Sequence, residues 1–244
     1  MGLLEQLEAT RAAGVSLFQI CDFAAIEAYS DGELAELRSA ASELHVALEL
    51  GTRGITPARL KRYLELAIAL DVTLVRSMIT EPAWTPTPQE AEKSLRSSIV
   101  AFEDHGVTLA LETYEQNATP DLVRIIEKIG SPNLGICLDP ANTVPLLEVP
   151  ADTIELCAPH VVNLHIKDFA FSRREAWVGF TLAGALLGEG MLDYRLIRDT
   201  IDPQARGLSQ IVEHWLPWQG DIATTRKLEE VWTAHSLNYL KEHT

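Results

Sequence analysis

The chain reads as short apolar runs separated by longer amphipathic stretches. Seven runs have the length and branched-apolar content of buried strands: VSLFQI (15–20), HVALEL (45–50), VTLVRS (72–77), VTLALE (107–112), LGICLD (134–139), VVNLHI (161–166) and SQIVEH (209–214). Helix starts are written between them. SDGE at Ser30–Glu33 and TPQE at Thr87–Glu90 have capping-box spacing. Thr56–Pro57 and Thr119–Pro120 each predict an N-cap followed by a proline at the first helical position. Gly130 closes the helical stretch LVRIIEKI. The last segment, TTRKLEEVWTAHSLNYLKEH, predicts a terminal helix with an apolar stripe.

Alternating strands and helices predict a parallel sheet covered by helices. No Pro-, Gly- or Ser-rich linker interrupts the pattern, so the expectation is a single domain over residues 1–244. The repeat is mostly 27–35 residues per unit, which suits a (β/α)₈ barrel or a doubly wound sheet. No GxGxxG follows any strand, which weighs against dinucleotide binding. A complete barrel needs eight strands. Seven are counted, and the chain opens on a helix over 3–13. The expected fold is therefore an α/β fold, a (β/α)₈ TIM-type barrel lacking its first strand at the N-terminus, with an open seam that is filled by another segment or left exposed as an edge.

Strand parity sharpens the picture. In VTLALE, Val107, Leu109 and Leu111 form the apolar face, leaving Thr108, Ala110 and Glu112 on the other. The same split puts Asp139 opposite Leu138, His165 opposite Leu164 and Ile166, and Glu213 opposite Val212. Four successive strands thus aim Glu112, Asp139, His165 and Glu213 to one side, all at C-terminal ends. Acidic residues often end strands because loops are wet, but four in matching register make that reading weaker. Three carboxylates at one mouth repel at short range, and a divalent cation removes the repulsion. Three oxygen ligands and one imidazole suit one Mn²⁺, Mg²⁺ or Co²⁺, and Zn²⁺ is compatible.

Composition narrows the function class. There are 20 basic and 35 acidic residues, a formal charge of −15, which opposes binding to nucleic-acid phosphates. Cys21, Cys137 and Cys157 are an odd set without CxxC spacing, so neither a disulfide framework nor a structural zinc site is expected. No run approaches a membrane span, and the N-terminus MGLLEQLEATRAAG is unlike a secretory signal. The expected partners are a small-molecule sugar or sugar acid, with no nucleic acid and no membrane. The expected location is cytoplasmic, and a homo-oligomer stays open.

LALETYEQ, GICLDPANT, VNLHIKDF, GEGMLDY and IVEHW together resemble the xylose-isomerase-like TIM-barrel superfamily of sugar (phosphate) isomerases and epimerases. The resemblance implies that Glu112, Asp139, His165 and Glu213 hold one divalent metal. It also implies that Glu112 and Glu213 move protons on opposite faces of a polyhydroxy ketone through an enediolate. Lys167 shares the parity of His165 and is a catalytic and substrate-binding candidate for an oxyanion or a substrate carboxylate. One departure stands out. DPAN places Asn142 where such epimerases often carry a histidine, and Asn142 enters as a substrate-binding candidate. The segment after Lys167, DFAFSRREAWVGFTLAGALL, reads as a lid, with Arg173 and Arg174 as candidate anion contacts against the more ordinary reading of a solvated basic turn. Trp215 and Trp218 are candidate walls of the mouth.

A narrower resemblance lies in LFQICDF, ALELGTRG, VVNLHIKDF and GFTLAGALLGEG, which look like a subgroup that includes 3-oxo-isoapionate decarboxylases. It implies loss of CO₂ from a branched 3-oxo sugar acid at the same metal. A cation for the substrate carboxylate is then needed: Arg53, Arg76 or Lys167. The first expectation is a metal-dependent isomerase or epimerase, and the alternative is the decarboxylase. An inactive or binding-only truncated barrel is a third reading. A related phosphodiesterase is disfavoured by the charge and by few site histidines.

Overall fold

A computed structural model of the chain describes residues 2–174 and 178–243. The chain divides into two compact units, 1–137 and 138–244.

The first unit begins with helix α1 (Leu3–Ala12) and then alternates strands and helices: β1 (Leu17–Ile20), α2 (Asp31–Glu43), β2 (Ala47–Gly51), α3 (Pro57–Leu70), β3 (Leu74–Ser77), α4 (Pro88–Asp104), β4 (Thr108–Glu112), α5 (Thr119–Ile129) and β5 (Leu134–Leu138), whose last residue reaches the second unit. Neighbouring strands pair in parallel and in sequence order, β1 to β5. All five strand runs expected here form, each within about two residues of its sequence bounds.

The helix starts follow the written signals. Ser30 Oγ accepts from the Glu33 N–H at 3.3 Å while Glu33 accepts from the Ser30 N–H at 2.8 Å. Thr87 and Glu90 repeat the arrangement at 3.3 and 2.8 Å. Thr56 caps α3 ahead of Pro57. The expected cap at Thr119 is a correction: Ala118 takes the N-cap position and Thr119 is the first helical residue, its side chain 1% exposed. A buried threonine at this place packs inward and leaves the cap without a side-chain bond.

The predicted apolar faces are buried. Val107, Leu109 and Leu111 lie in the core with Leu60, Leu66 and Leu70 of α3 and Leu95 of α4. On the opposite parity, register aligns Gly51 with Arg76, Arg76 with Ala110, and Ala110 with Gly135. Three of these four residues have almost no side chain, and the space they leave admits one buried arginine.

The second unit contains a 3₁₀ turn over Pro140–Leu146, then α6 (Pro150–Cys157), β6 (Val161–Ile166), β7 (Phe169–Arg173), β8 (Phe180–Gly184), α7 (Tyr194–Ile201), α8 (Pro203–Arg206), β9 (Ser209–Val212) and α9 (Ile222–His243). β6 and β9 pair in parallel, with His165 opposite Ile211 and Ile166 opposite Val212. With the five strands of the first unit, that makes seven parallel strands among the described residues, against eight in a complete barrel.

β7 and β8 are an antiparallel hairpin that the strand count did not include. It occupies the segment expected to be a lid, of which residues 175–177 lie outside the described residues. Its base is tied down by close backbone contact: the Gly184 N–H donates to Trp215 O at 3.0 Å. A Cβ on Gly184 would lie 2.6 Å from that oxygen, so only glycine permits the approach. The terminal helix buries only Ser236 and Leu240 among its described residues, a narrower stripe than its sequence suggests.

Candidate metal and active site

In the first unit, Glu112 ends β4 on the parity opposite Leu111, and its side chain is buried. Its carboxylate pairs with the guanidinium of Arg76, whose Nη1 also donates to Thr52 O at 3.2 Å. Arg76 thus lies inside, among Gly51, Ala110 and Gly135, and its charge faces Glu112. Arg53 is different. Its side chain is half exposed and forms a two-pronged bond to exposed Asp22, both contacts at 3.1 Å.

In the second unit, Asp139 follows β5 and caps the Pro140–Leu146 turn. Its Oδ1 accepts from the backbone N–H groups of Ala141 and Asn142 at 3.1 and 3.3 Å. That fixes the carboxylate so that Oδ2 meets Lys167 Nζ at 2.7 Å. Asn142 is buried in the same turn. His165 is fully buried on β6, and its Nδ1 lies 3.1 Å from Glu213 Oε1. Glu213 follows β9, where its N–H donates to Ile166 O at 3.1 Å and continues the β6–β9 ladder. Lys167 Nζ donates to Glu213 Oε2 at 3.0 Å and lies 4.6 Å from the centre of the Trp215 ring. Trp215, two residues beyond Glu213, therefore backs the lysine, while Trp218 is exposed. His214, on the opposite parity, turns to α9 and meets Thr233 and Trp232.

The electrostatics follow from this arrangement. Burial pulls the Lys167 ammonium toward its neutral form, but the charges and hydrogen bonds of Asp139 and Glu213 outweigh it and hold the group protonated. Burial likewise opposes ionisation of Glu213. The hydrogen bond and charge of His165, and then Lys167, prevail, so its carboxyl lies well below the usual range.

Asp139, His165 and Glu213 each offer one ligand atom, and these atoms lie within 4.8 Å of one another. Octahedral donors at about 2.1–2.3 Å from a cation stand at most about 4.6 Å apart, so small inward shifts suffice. One imidazole and two ionised carboxylates, with a lysine ammonium already attracted to them, form a donor set that fits a divalent cation.

Sequence parity did not single out Asp168. Its side chain is buried, and both carboxylate oxygens accept backbone N–H groups, from Phe169, Gly188, Gly190 and Leu192. The sequence signal was present in the GEG of residues 188–190, but what it wraps around is not written locally. Arg173 stacks over Phe180 at 4.9 Å on the exposed hairpin, and Arg174 is exposed beside it.

The profile of the Xylose isomerase-like TIM barrel family matches residues 7–243, and the chain belongs to this family. A curated protein of Pectobacterium atrosepticum, 3-oxo-isoapionate decarboxylase, is 53% identical over 240 residues, covering 98% of this chain and 87% of that protein. Among solved structures, a D-psicose 3-epimerase crystallised in the presence of D-fructose superposes with a TM-score of 0.74 at 16% identity, covering 99% of this chain and 92% of that one. A xylose isomerase-like TIM barrel protein from Mycobacterium smegmatis in complex with magnesium gives 0.71 at 18% identity, covering 96% and 88%. The expected TIM-barrel fold is the fold of this family and of these structures. No described helix is long and apolar enough to cross a membrane.

Proposed function

We propose that the protein is a divalent-cation-dependent decarboxylase of a branched 3-oxo sugar acid of the 3-oxo-isoapionate type. The observation that carries the reading is 53% identity to a decarboxylase of that name over nearly the whole chain. It reverses the order of the two enzymatic expectations, because isomerases and epimerases enter only through the family and through structures below 20% identity.

Asp139, His165 and Glu213 would hold the cation. Glu112 is assigned as the fourth ligand on its strand-end parity, its burial and the family's pattern. When bound, the cation supplies a Lewis acid for the 3-oxo group. The chain's own groups do the rest. Lys167, kept charged, offsets negative charge as it moves from the departing carboxylate to the enolate. The C–C bond to the carboxylate breaks, its electron pair stays on the α-carbon, CO₂ leaves, and one proton returns to that carbon from solvent. Trp215 excludes water from one side of Lys167, which strengthens the charge effect. Arg53 and Asn142 are carried as contacts to the substrate's hydroxyls or carboxylate. Arg76, a substrate-binding candidate on sequence, is carried instead as the buried guanidinium partner of the Glu112 carboxylate. The single-domain reading rests on the family match over 7–243, and the cytoplasmic location is carried with the proposal.

The test is incubation of 3-oxo-isoapionate with the Mn²⁺-loaded protein in D₂O. Stoichiometric CO₂ and one deuterium on the product's α-carbon are expected. Deuterium entering a keto-sugar without CO₂ would return the isomerase or epimerase reading. Mn²⁺ binding with neither event would leave a binding protein.

A further inference from the structure

Lys167 is a single residue between two anchors. Before it, Ile166 is held in the β6–β9 ladder, and Ile166 O accepts the Glu213 N–H at 3.1 Å. After it comes Asp168, whose carboxylate is clasped by four backbone N–H groups. Oδ1 accepts from Phe169 at 2.8 Å and Leu192 at 2.9 Å, and Oδ2 accepts from Gly188 and Gly190, both at 2.9 Å. The main chain joins in: the Ala185 N–H donates to Asp168 O at 3.0 Å, and the Met191 N–H to Phe169 O at 2.8 Å. Residues 169–189 therefore leave and return at one point, and Asp168 is the pin. The fit is close. A Cβ at Gly190 would lie 2.1 Å from Asp168 Oδ1 and 2.5 Å from Phe169 O.

The geometry points to Asp168 as a positioning residue for Lys167, and the inference rests on the role given to Lys167 above. A lysine has four rotatable side-chain bonds and must forfeit that freedom to reach Asp139 and Glu213 together. Its neighbour's backbone decides whether its Cα stands where both contacts are made. Asp168 contributes no group to the substrate. It fixes the base from which the ammonium projects, and a displacement of about 1 Å in such a base costs a reaction heavily.

The experiment compares Asp168→Asn with the wild type in two ways. Asparagine keeps the shape but turns an N–H₂ toward two N–H donors, so it opens one half of the clasp. The first readout needs no turnover: acetic anhydride labelling below the unfolding transition, followed by peptide mass spectrometry. Lys167 is expected to react at least 10-fold faster in Asp168→Asn, with exposed Lys61 and Lys128 unchanged. The second is a double-mutant cycle on CO₂ release. Asp168→Asn should lower kcat at least 30-fold with KM within 3-fold, and Lys167→Met/Asp168→Asn should be no slower than Lys167→Met. Lys167 protected as in wild type, or additive losses in kcat, would overturn the proposal. If the wild type releases no CO₂, the proposed activity fails while the labelling still decides the role of Asp168. Should Asp168→Asn not fold, Gly190→Ala pushes on the same clasp from the other side and is read by the same criteria.

Discussion

Lys167 Nζ stands 2.7 Å from Asp139 Oδ2, with both side chains almost completely inaccessible to water. Two buried ions at this distance are held by their attraction against a large loss of hydration, and removing one partner leaves the other stranded. The same ammonium also reaches Glu213 at 3.0 Å. It is the positive charge that the two acids of the second unit share.

That arrangement makes the lysine and a metal ion partial substitutes in charge. In protein stripped with chelator, Lys167→Met should lose about 3 kcal/mol of stability. Mn²⁺ should restore more of that loss than it adds to the wild type, because a cation again faces both carboxylates. Thermal unfolding of both proteins, with and without Mn²⁺, reads the difference. Equal Mn²⁺-induced shifts would contradict it. Turnover should fall at least 100-fold and stay low with metal present.

Glu213 sets an acid limit. Its folded-state pKa lies below the ordinary 4.5, so it contributes stability above pH 4.5 that is lost as pH falls from there toward the folded value. Urea unfolding of the stripped protein between pH 6 and 3 should show a decline that Glu213→Gln flattens. A variant with the same slope as the wild type would show that other carboxyls dominate.

Arg76 supports Glu112 from inside the first unit. Arg76→Leu leaves a buried carboxylate without its guanidinium and should cost about 3–5 kcal/mol. Arg76→Leu/Glu112→Leu removes both charges and should recover most of that loss. Urea midpoints in chelator decide it, and a double variant as unstable as the single would assign the loss to packing around Gly51, Ala110 and Gly135.

The cysteines should react in a fixed order. Cys157 is fully buried, and burial pushes its thiol up to about 12, with Glu148 adding to the effect. Cys137 is equally inaccessible, whereas Cys21 is partly exposed. Iodoacetamide at pH 8 should label Cys21 alone in the native protein and all three in urea, read by intact mass.

Much of this was legible in the chain. Alternation of side-chain type in VTLALE and LGICLD fixes which residues share a face, because a strand's side chains can only alternate, although both faces of these strands are buried. Capping at Ser30 and Thr87 is equally local, since the groups that bond lie three residues apart. The donor types at residues 112, 139, 165 and 213 follow from the same parity. Local pattern failed where partners are distant. Thr119 has the chemistry of a cap, but packing drew it inward. The β7–β8 hairpin is not written locally, because its largely exposed residues carry no strong strand periodicity. Nothing beside Asp168 in the chain marks its role, because the groups that wrap it return 20 to 24 residues later. The arginines diverged for the same reason. Arg53 and Arg76 are alike in sequence, yet one pairs with Asp22 at the surface and the other is buried with Glu112. The amino-acid order determined the elements and the face each residue takes, because those depend on neighbours along the chain. Which charges meet, and which loop closes on which carboxylate, was decided only when segments remote in sequence packed together.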